Sequence, residues 1–271
     1  MTSPCDHSAA AYWVVIPAYN EAATVRDVAM RAREQCPNVI VVDDGSTDGT
    51  AEALAGLDVT LLRNERNLGK AGSLCRGFEA ALAGGATGVI TLDADGQHVP
   101  EEIPLFVRQA LADPAVFLIG ARRRDQRKTS FWRYAANCIA DFWIGWAAGS
   151  PIEDSQSGFR LYPAGQVRAV RLNHDRARSF VYESEMLIEA VRRGGAIKTI
   201  PITVRPRPGG RSSHFRPLLD IVRISRMVAG KLLGRGVYLT GRHQSPQGLM
   251  RQSVGKNATP EQRRELSKEE R

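Results

Sequence analysis

The chain has 271 residues, 43% of them hydrophobic, and a formal net charge of +8, enough to bury one large α/β core with appendages. Cys5, Cys36, Cys75 and Cys138 are scattered, with no Cys-x-x-Cys pair and no histidine at metal-ligand spacing; this argues against a zinc site and predicts reduced thiols in a cytosolic protein. The most apolar stretch, Phe131 to Gly149, is broken by Arg133, Asn137 and Asp141, which argues against a bilayer span.

Residues 1–10 lack a basic n-region and an apolar h-region, so no leader peptide is expected and a short disordered arm is. Tyr12 to Ile16 reads as a strand that stops at Pro17, which has no backbone donor. Asn20 then suits the cap of a helix from Glu21 to about Gln35, and Tyr19 can lie against a base. Val39 to Val42 forms a second strand and delivers Asp43 and Asp44 at its tip, with Gly45 to Thr50 as turn and cap residues. Two adjacent carboxylates repel unless donors separate them, and the N–H and hydroxyl groups of a nucleoside are such donors.

Val59 to Leu62 reads as a strand, Lys70 to Ala83 as a helix after a tight turn at Gly69, and Val116 to Ile119 as another strand. Between them the apolar Gly88-Val89-Ile90 leads into Thr91-Leu92-Asp93-Ala94-Asp95-Gly96-Gln97-His98. Asp93 and Asp95 stand on alternate residues with the amide of Gln97 just beyond, a set suited to one hard divalent cation at the carboxyl end of a sheet. Either acidic pair alone reads equally as a turn device; together on one edge they read as a site.

Ile16-Pro17-Ala18-Tyr19-Asn20-Glu21, Val42 to Thr50, Asn64 to Gly72 and Asp93 to His98 resemble, in order and spacing, the successive motifs of family-two glycosyltransferases, nearest to the dolichol- or polyprenyl-phosphate mannosyl- and glucosyltransferases. The resemblance covers roughly residues 12 to 212. It implies a GT-A fold, a mostly parallel α/β sheet flanked by helices, over residues 11–214. It also implies a nucleotide-diphosphate sugar donor, Mg²⁺ or Mn²⁺, and inversion at the anomeric carbon. On that basis Pro17, Tyr19, Glu21, Asp43, Asp44, Lys70 and Ala94 bind the donor, and Asp93, Asp95 and Gln97 hold the metal. Arg122, Arg133 and Arg207 orient a phosphorylated polyprenyl acceptor. Ser213 and His214 stand where the family has a lysine after Ser212.

Asp154, in Asp154-Ser155-Gln156-Ser157-Gly158-Phe159-Arg160, is either a turn acid or an acid close to the acceptor, and Arg160 can pair with it or with phosphate. Glu183 and Glu185 open a helix over 180–193 and suit its N-terminal dipole as well as they suit a substrate.

Positive charge is concentrated in Arg122 to Lys128 and again between Arg205 and Arg235, without a recognisable nucleic-acid motif. Lipid phosphate is therefore the expected partner, and nucleic acid is not. Phe215 to Arg235 reads as an amphipathic helix suited either to a membrane interface or to packing on the catalytic domain, within a helical region 215–240, and 241–271 as a disordered tail. The expected place is the cytoplasm, with peripheral attachment to the cytoplasmic membrane face. The rival readings are transfer to a hydroxyl acceptor with Asp154 as base, a sugar nucleotidyltransferase, and a non-catalytic lipid- or nucleic-acid-binding protein. The nucleotidyltransferase lacks its Gly-rich Arg loop here, and a binding protein has no need of the acidic motifs.

Overall fold

The computed structural model describes residues 11–122, 131–170 and 182–206, with the side chains of 131–136 left out. The expected arm, the helical region 215–240, the tail, Arg207 and the side chain of Arg133 lie outside the described residues.

Seven strands make one sheet: β1 (Tyr12–Ala18), β2 (Val39–Asp43), β3 (Thr60–Arg63), β4 (Gly88–Thr91), β5 (Phe117–Arg122), β6 (Arg160–Pro163) and β7 (Ile197–Ile202), in the order β3-β2-β1-β4-β6-β5-β7. All neighbours pair in parallel except β6, which runs antiparallel between β4 and β5. The helices are α1 (Val25–Gln35), α2 (Lys70–Ala83), α3 (Ile103–Ala112), α4 (Phe131–Ala148), α5 (Ala164–Ala169) and α6 (Tyr182–Arg192).

Strand alternation sorts the core into two layers. Val14, Ile16 and Val41 pack with Val28 and Ala32 of α1 and Ile103 and Phe106 of α3. Val15, Ile40 and Val42 pack on the other side with Leu74 and Phe78 of α2, Ile144 of α4 and Leu187 of α6. A sheet covered on both faces needs apolar residues at every strand position, and all five residues of β2 are buried, Asp43 among them.

The chain leaves β1 towards β2 on one side and reaches β4 on the other, so the order reverses between β1 and β4. Open α/β sheets bind ligands at that reversal, beyond the carboxyl ends of the strands. Because β6 is antiparallel, with Arg160 opposite Thr91, the segment preceding it is delivered to the same edge.

Two expectations at the first strand are corrected. Pro17 does not stop β1, which continues to Ala18 with Pro17 opposite Val42. Its missing N–H falls on the β4 side, where pairing has already ended at Val15 and Thr91, so no ladder bond is lost. Asn20 does not cap a helix: its φ is +54° and α1 starts only at Val25. Instead residues 20–22 are stitched to the turn after β2. Asn20 N–H donates to Ser46 Oγ (2.9 Å), Glu21 N–H to Thr50 Oγ1 (2.9 Å) and Ala22 N–H to Asp48 Oδ2 (3.1 Å). Asp48 and Thr50 thus tie two loops together rather than cap the next helix.

Candidate functional site

Asp43 ends β2 with a fully buried side chain. Its Oδ1 accepts the Ser46 N–H (3.0 Å), whereas Oδ2 lies 3.3 Å from Arg63 Nε yet has no hydrogen-bond partner among the described residues. A buried carboxylate oxygen left in that state is costly, which marks it as a place for a ligand donor. Asp44 differs. Its carboxylate accepts from Asn64 Nδ2 (2.8 Å), Leu68 N–H (2.9 Å) and Gly69 N–H (2.8 Å). The adjacent acids are therefore separated by donors of the protein itself, which corrects the expectation that a nucleoside must do so. Asp44 shapes the turn into α2. Gly45, with φ +70°, belongs to the same device, since a Cβ there would lie 2.7 Å from the Arg66 carbonyl carbon.

That turn places Lys70 at the start of α2, with Nζ 2.7 Å from Asp93 Oδ1 and 3.0 Å from Glu183 Oε2. Burial alone would lower the Lys70 pKa, but the two carboxylates outweigh it and hold the ammonium above the ordinary lysine range. Burial would likewise raise Asp93, and Lys70, helped by His98 and Arg122, holds it well below the carboxylate range. His98 is buried against Phe159 and its Nδ1 accepts the Asp93 N–H at 3.3 Å. Burial lowers its pKa despite Asp93, giving a neutral ring that fixes the acidic loop. Asp95 is partly exposed, and its Oδ1 accepts the Gln97 N–H at 3.1 Å. The carbonyl of Ala94 accepts from Thr24 Oγ1 at 2.7 Å, fastening the loop to the start of α1.

At the end of β5, Arg122 forks onto Asp154: Nε to Oδ2 at 2.7 Å and Nη2 to Oδ1 at 2.6 Å, with the Arg122 N–H also donating to Oδ2 at 2.8 Å. Asp154 is 2% exposed. A carboxylate buried under a guanidinium is a positioning group, and this geometry corrects the reading of Asp154 as a base facing a hydroxyl. Arg160 is corrected too. It pairs with neither Asp154 nor phosphate, because its guanidinium is buried and donates to the carbonyls of Ser155 (2.5 Å), Ser157 (2.7 Å) and Glu183 (2.9 Å). It clamps the 154–159 segment to the start of α6.

The structure therefore brings Pro17, Tyr19, Glu21, Asp43, Asp44, Lys70, Asp93, Ala94, Asp95, Gln97, Arg122 and Asp154 to one sheet edge. Residues 13–162, more than half of the chain, match the family Glycosyl transferase family 2. The chain belongs to that family. Undecaprenyl-phosphate mannosyltransferase of Micrococcus luteus is 31% identical over 210 residues, covering 73% of this chain and 85% of the relative. Polyprenol monophosphomannose synthase of Mycolicibacterium smegmatis is 29% identical over 210 residues, covering 73% and 79%. In fold, the chain is similar to glucosyl-3-phosphoglycerate synthase from Mycobacterium tuberculosis in complex with Mn²⁺, UDP and glucosyl-3-phosphoglycerate. That likeness has a TM-score of 0.62 at 22% identity over 87% of this chain and 85% of the other.

In this glycosyltransferase, Glu183, Asn64 and Gly158 were not singled out as site residues from sequence. Glu183 suits either the helix dipole or a substrate from sequence; its contact with Lys70 carries no sequence signal, since the two residues meet only through the fold. Gly158 lies against the acidic pair: a Cβ there would fall 2.3 Å from Asp93 Oδ2 and 2.6 Å from Oδ1. Gly158→Ala must therefore push the Asp93 carboxylate away from Lys70. We expect transfer activity to drop about tenfold or more, with a smaller change in melting temperature. A variant with wild-type turnover would show that Asp93 can move without cost.

Proposed function

We propose that this glycosyltransferase moves a hexose, with inversion, from a UDP- or GDP-sugar to a polyprenyl phosphate. The observation that carries this reading is the arrangement of three kinds of group along one sheet edge. The Asp43 oxygen with no hydrogen-bond partner among the described residues lies on β2, the Asp93–Asp95–Gln97 loop follows β4, and Arg122 ends β5. The Asp43 oxygen suits an N–H or hydroxyl of the nucleoside. Arg122 ends β5 at the same edge, is held there by Asp154, and its planar guanidinium suits a phosphate. A phosphate nucleophile is ionised at neutral pH and needs no strong base, which agrees with the bonding of Asp154.

The donor set also fits Mg²⁺ or Mn²⁺. Among the described residues no three His, Cys, Asp or Glu side chains gather as a metal cage, and Mg²⁺ characteristically takes one or two carboxylates plus substrate phosphates. Asp95, Gln97 and the oxygen of Asp93 turned from Lys70 would hold it. When bound, the ion offsets charge developing on the departing nucleotide. Lys70 adds a fixed positive charge beside the same loop, and Arg122 holds the acceptor in line.

The acceptor is a lipid, and the structure offers a surface for it. On α4, Ile139, Phe142 and Trp146 are 42%, 64% and 49% exposed, on one stripe, and the Arg122 to Lys128 block precedes this helix in sequence. No helix among the described residues is long and apolar enough to cross a membrane. Exposed aromatic side chains favour a membrane interface, and basic residues in the chain favour an anionic one. Flotation with anionic vesicles should therefore capture the protein at low salt and release it at high salt, and Phe142→Ser with Trp146→Ser should weaken capture.

The deciding experiment presents each nucleotide sugar with Mn²⁺ or Mg²⁺ and follows labelled hexose into a polyprenyl-phosphate fraction. Metal-dependent transfer supports the reading. Transfer to a soluble hydroxyl acceptor but never to the lipid phosphate would overturn it.

A further inference from the structure

Asp141 lies on α4, away from the exposed stripe of that helix. Its carboxylate accepts the N–H groups of Asp154 (3.2 Å, to Oδ2) and Ser155 (2.8 Å, to Oδ1) and the Ser155 hydroxyl (2.6 Å, to Oδ1). These three bonds land on a turn where Asp154 has φ +53°, a conformation that a non-glycine residue keeps when its surroundings hold it there. Asp154 and Ser155 are both buried, so their N–H groups need acceptors. The same turn then presents the Asp154 carboxylate to Arg122 through its backbone N–H and its guanidinium.

We propose that Asp141 is a positioning residue for the acceptor phosphate, acting through the 154–155 turn to preset Arg122. The proposal rests on the assignment of Arg122 to that phosphate. An arginine side chain with several free torsions loses that freedom when it grips a ligand; one already clamped has lost it on folding, so the acceptor binds more tightly. Asp141 sets the clamp without touching substrate. It also joins the helix carrying the exposed aromatic stripe to the end of β5.

The test measures acceptor kinetics and donor affinity in the full-length protein, with polyprenyl phosphate as acceptor. Asp141→Asn keeps one acceptor oxygen but presents an N–H₂ group to a backbone donor. It should raise the acceptor KM about tenfold and leave the dissociation constant of the nucleotide sugar unchanged. Combined with Arg122→Ala, it should add no further loss, because its effect passes through Arg122. Ser155→Ala removes the hydroxyl bond to Asp141 and a longer one from Gln156 but keeps both backbone bonds, and should move the acceptor KM in the same direction by less; it carries the test if Asp141→Asn does not fold. Equal losses from Asp141→Asn with and without Arg122 would overturn the proposal. So would a parallel fall in donor affinity, or an unchanged acceptor KM in both variants. A wild-type protein that transfers to no polyprenyl phosphate overturns the acceptor assignment itself, and this inference with it, a result plainly different from an active wild type with an indifferent Asp141.

Discussion

Asp95→Ala is expected to lower transfer about a hundred- to a thousandfold, the usual loss when one group that stabilises developing charge is removed, while the melting temperature stays near that of the wild type. The reason lies in the contrast between the two acids of the loop. Asp93 is locked between Lys70 and the peptide edge near Gly158, whereas Asp95 is partly exposed and accepts the Gln97 N–H within its own turn. Removing it costs a local turn bond and leaves the core untouched. Donor binding supplies a readout independent of turnover. In the wild type, Mn²⁺ should tighten the nucleotide sugar, and in Asp95→Ala that gain should vanish while metal-free affinity is retained. A variant that keeps both turnover and the metal effect would remove Asp95 from the site.

What could be read from the sequence followed from local pattern. Continuous β-branched runs named β2 and the strand before Asp93, the helix from Lys70 to Ala83 began and ended as its spacing predicts, and the family motifs placed both acidic pairs on one edge. What could not be read was partnership. Nothing near Asp44 in sequence shows that its lone pairs go to Asn64 and to the N–H groups of Leu68 and Gly69 rather than to a nucleoside. Arg160 and Asp154 stand close enough in sequence to suggest a pair, yet the antiparallel turn into β6 sends Arg160 to carbonyls and the buried Asp154 to Arg122. Asp141 had interest only as an interruption of an apolar stretch. Such contacts are set by how α4, α6 and the sheet edge pack, information that no window of local sequence contains.

Lys70→Met should be the most destabilising of these substitutions and should give the protein a new dependence on pH. Its ammonium separates Asp93 from Glu183, and each acid keeps some exposure, 32% and 14% of the side chain. Losing the partner should cost about 2 kcal/mol, less than for a fully buried pair. In the wild type, the depressed Asp93 carboxyl contributes stability above about pH 4 that is lost as pH falls through its lower folded value. The raised Lys70 contributes below about pH 10 and loses that contribution only as pH rises through its higher folded value. Across the neutral range the triad therefore contributes a constant amount. Without Lys70, Asp93 keeps the burial that raises its carboxyl and faces Glu183 as a like charge, so the Asp93 carboxyl should titrate above its ordinary range. A raised folded pKa stabilises below the unfolded value and fades as pH climbs, so Lys70→Met should melt at higher temperature near about pH 5 than near about pH 7, measured with chelator present. Adding Glu183→Gln should restore much of the lost stability and flatten the pH profile while transfer stays low, because the charge beside the acidic loop is still missing. A double variant no more stable than Lys70→Met would mean that Glu183 is not the carboxylate Lys70 holds apart from Asp93.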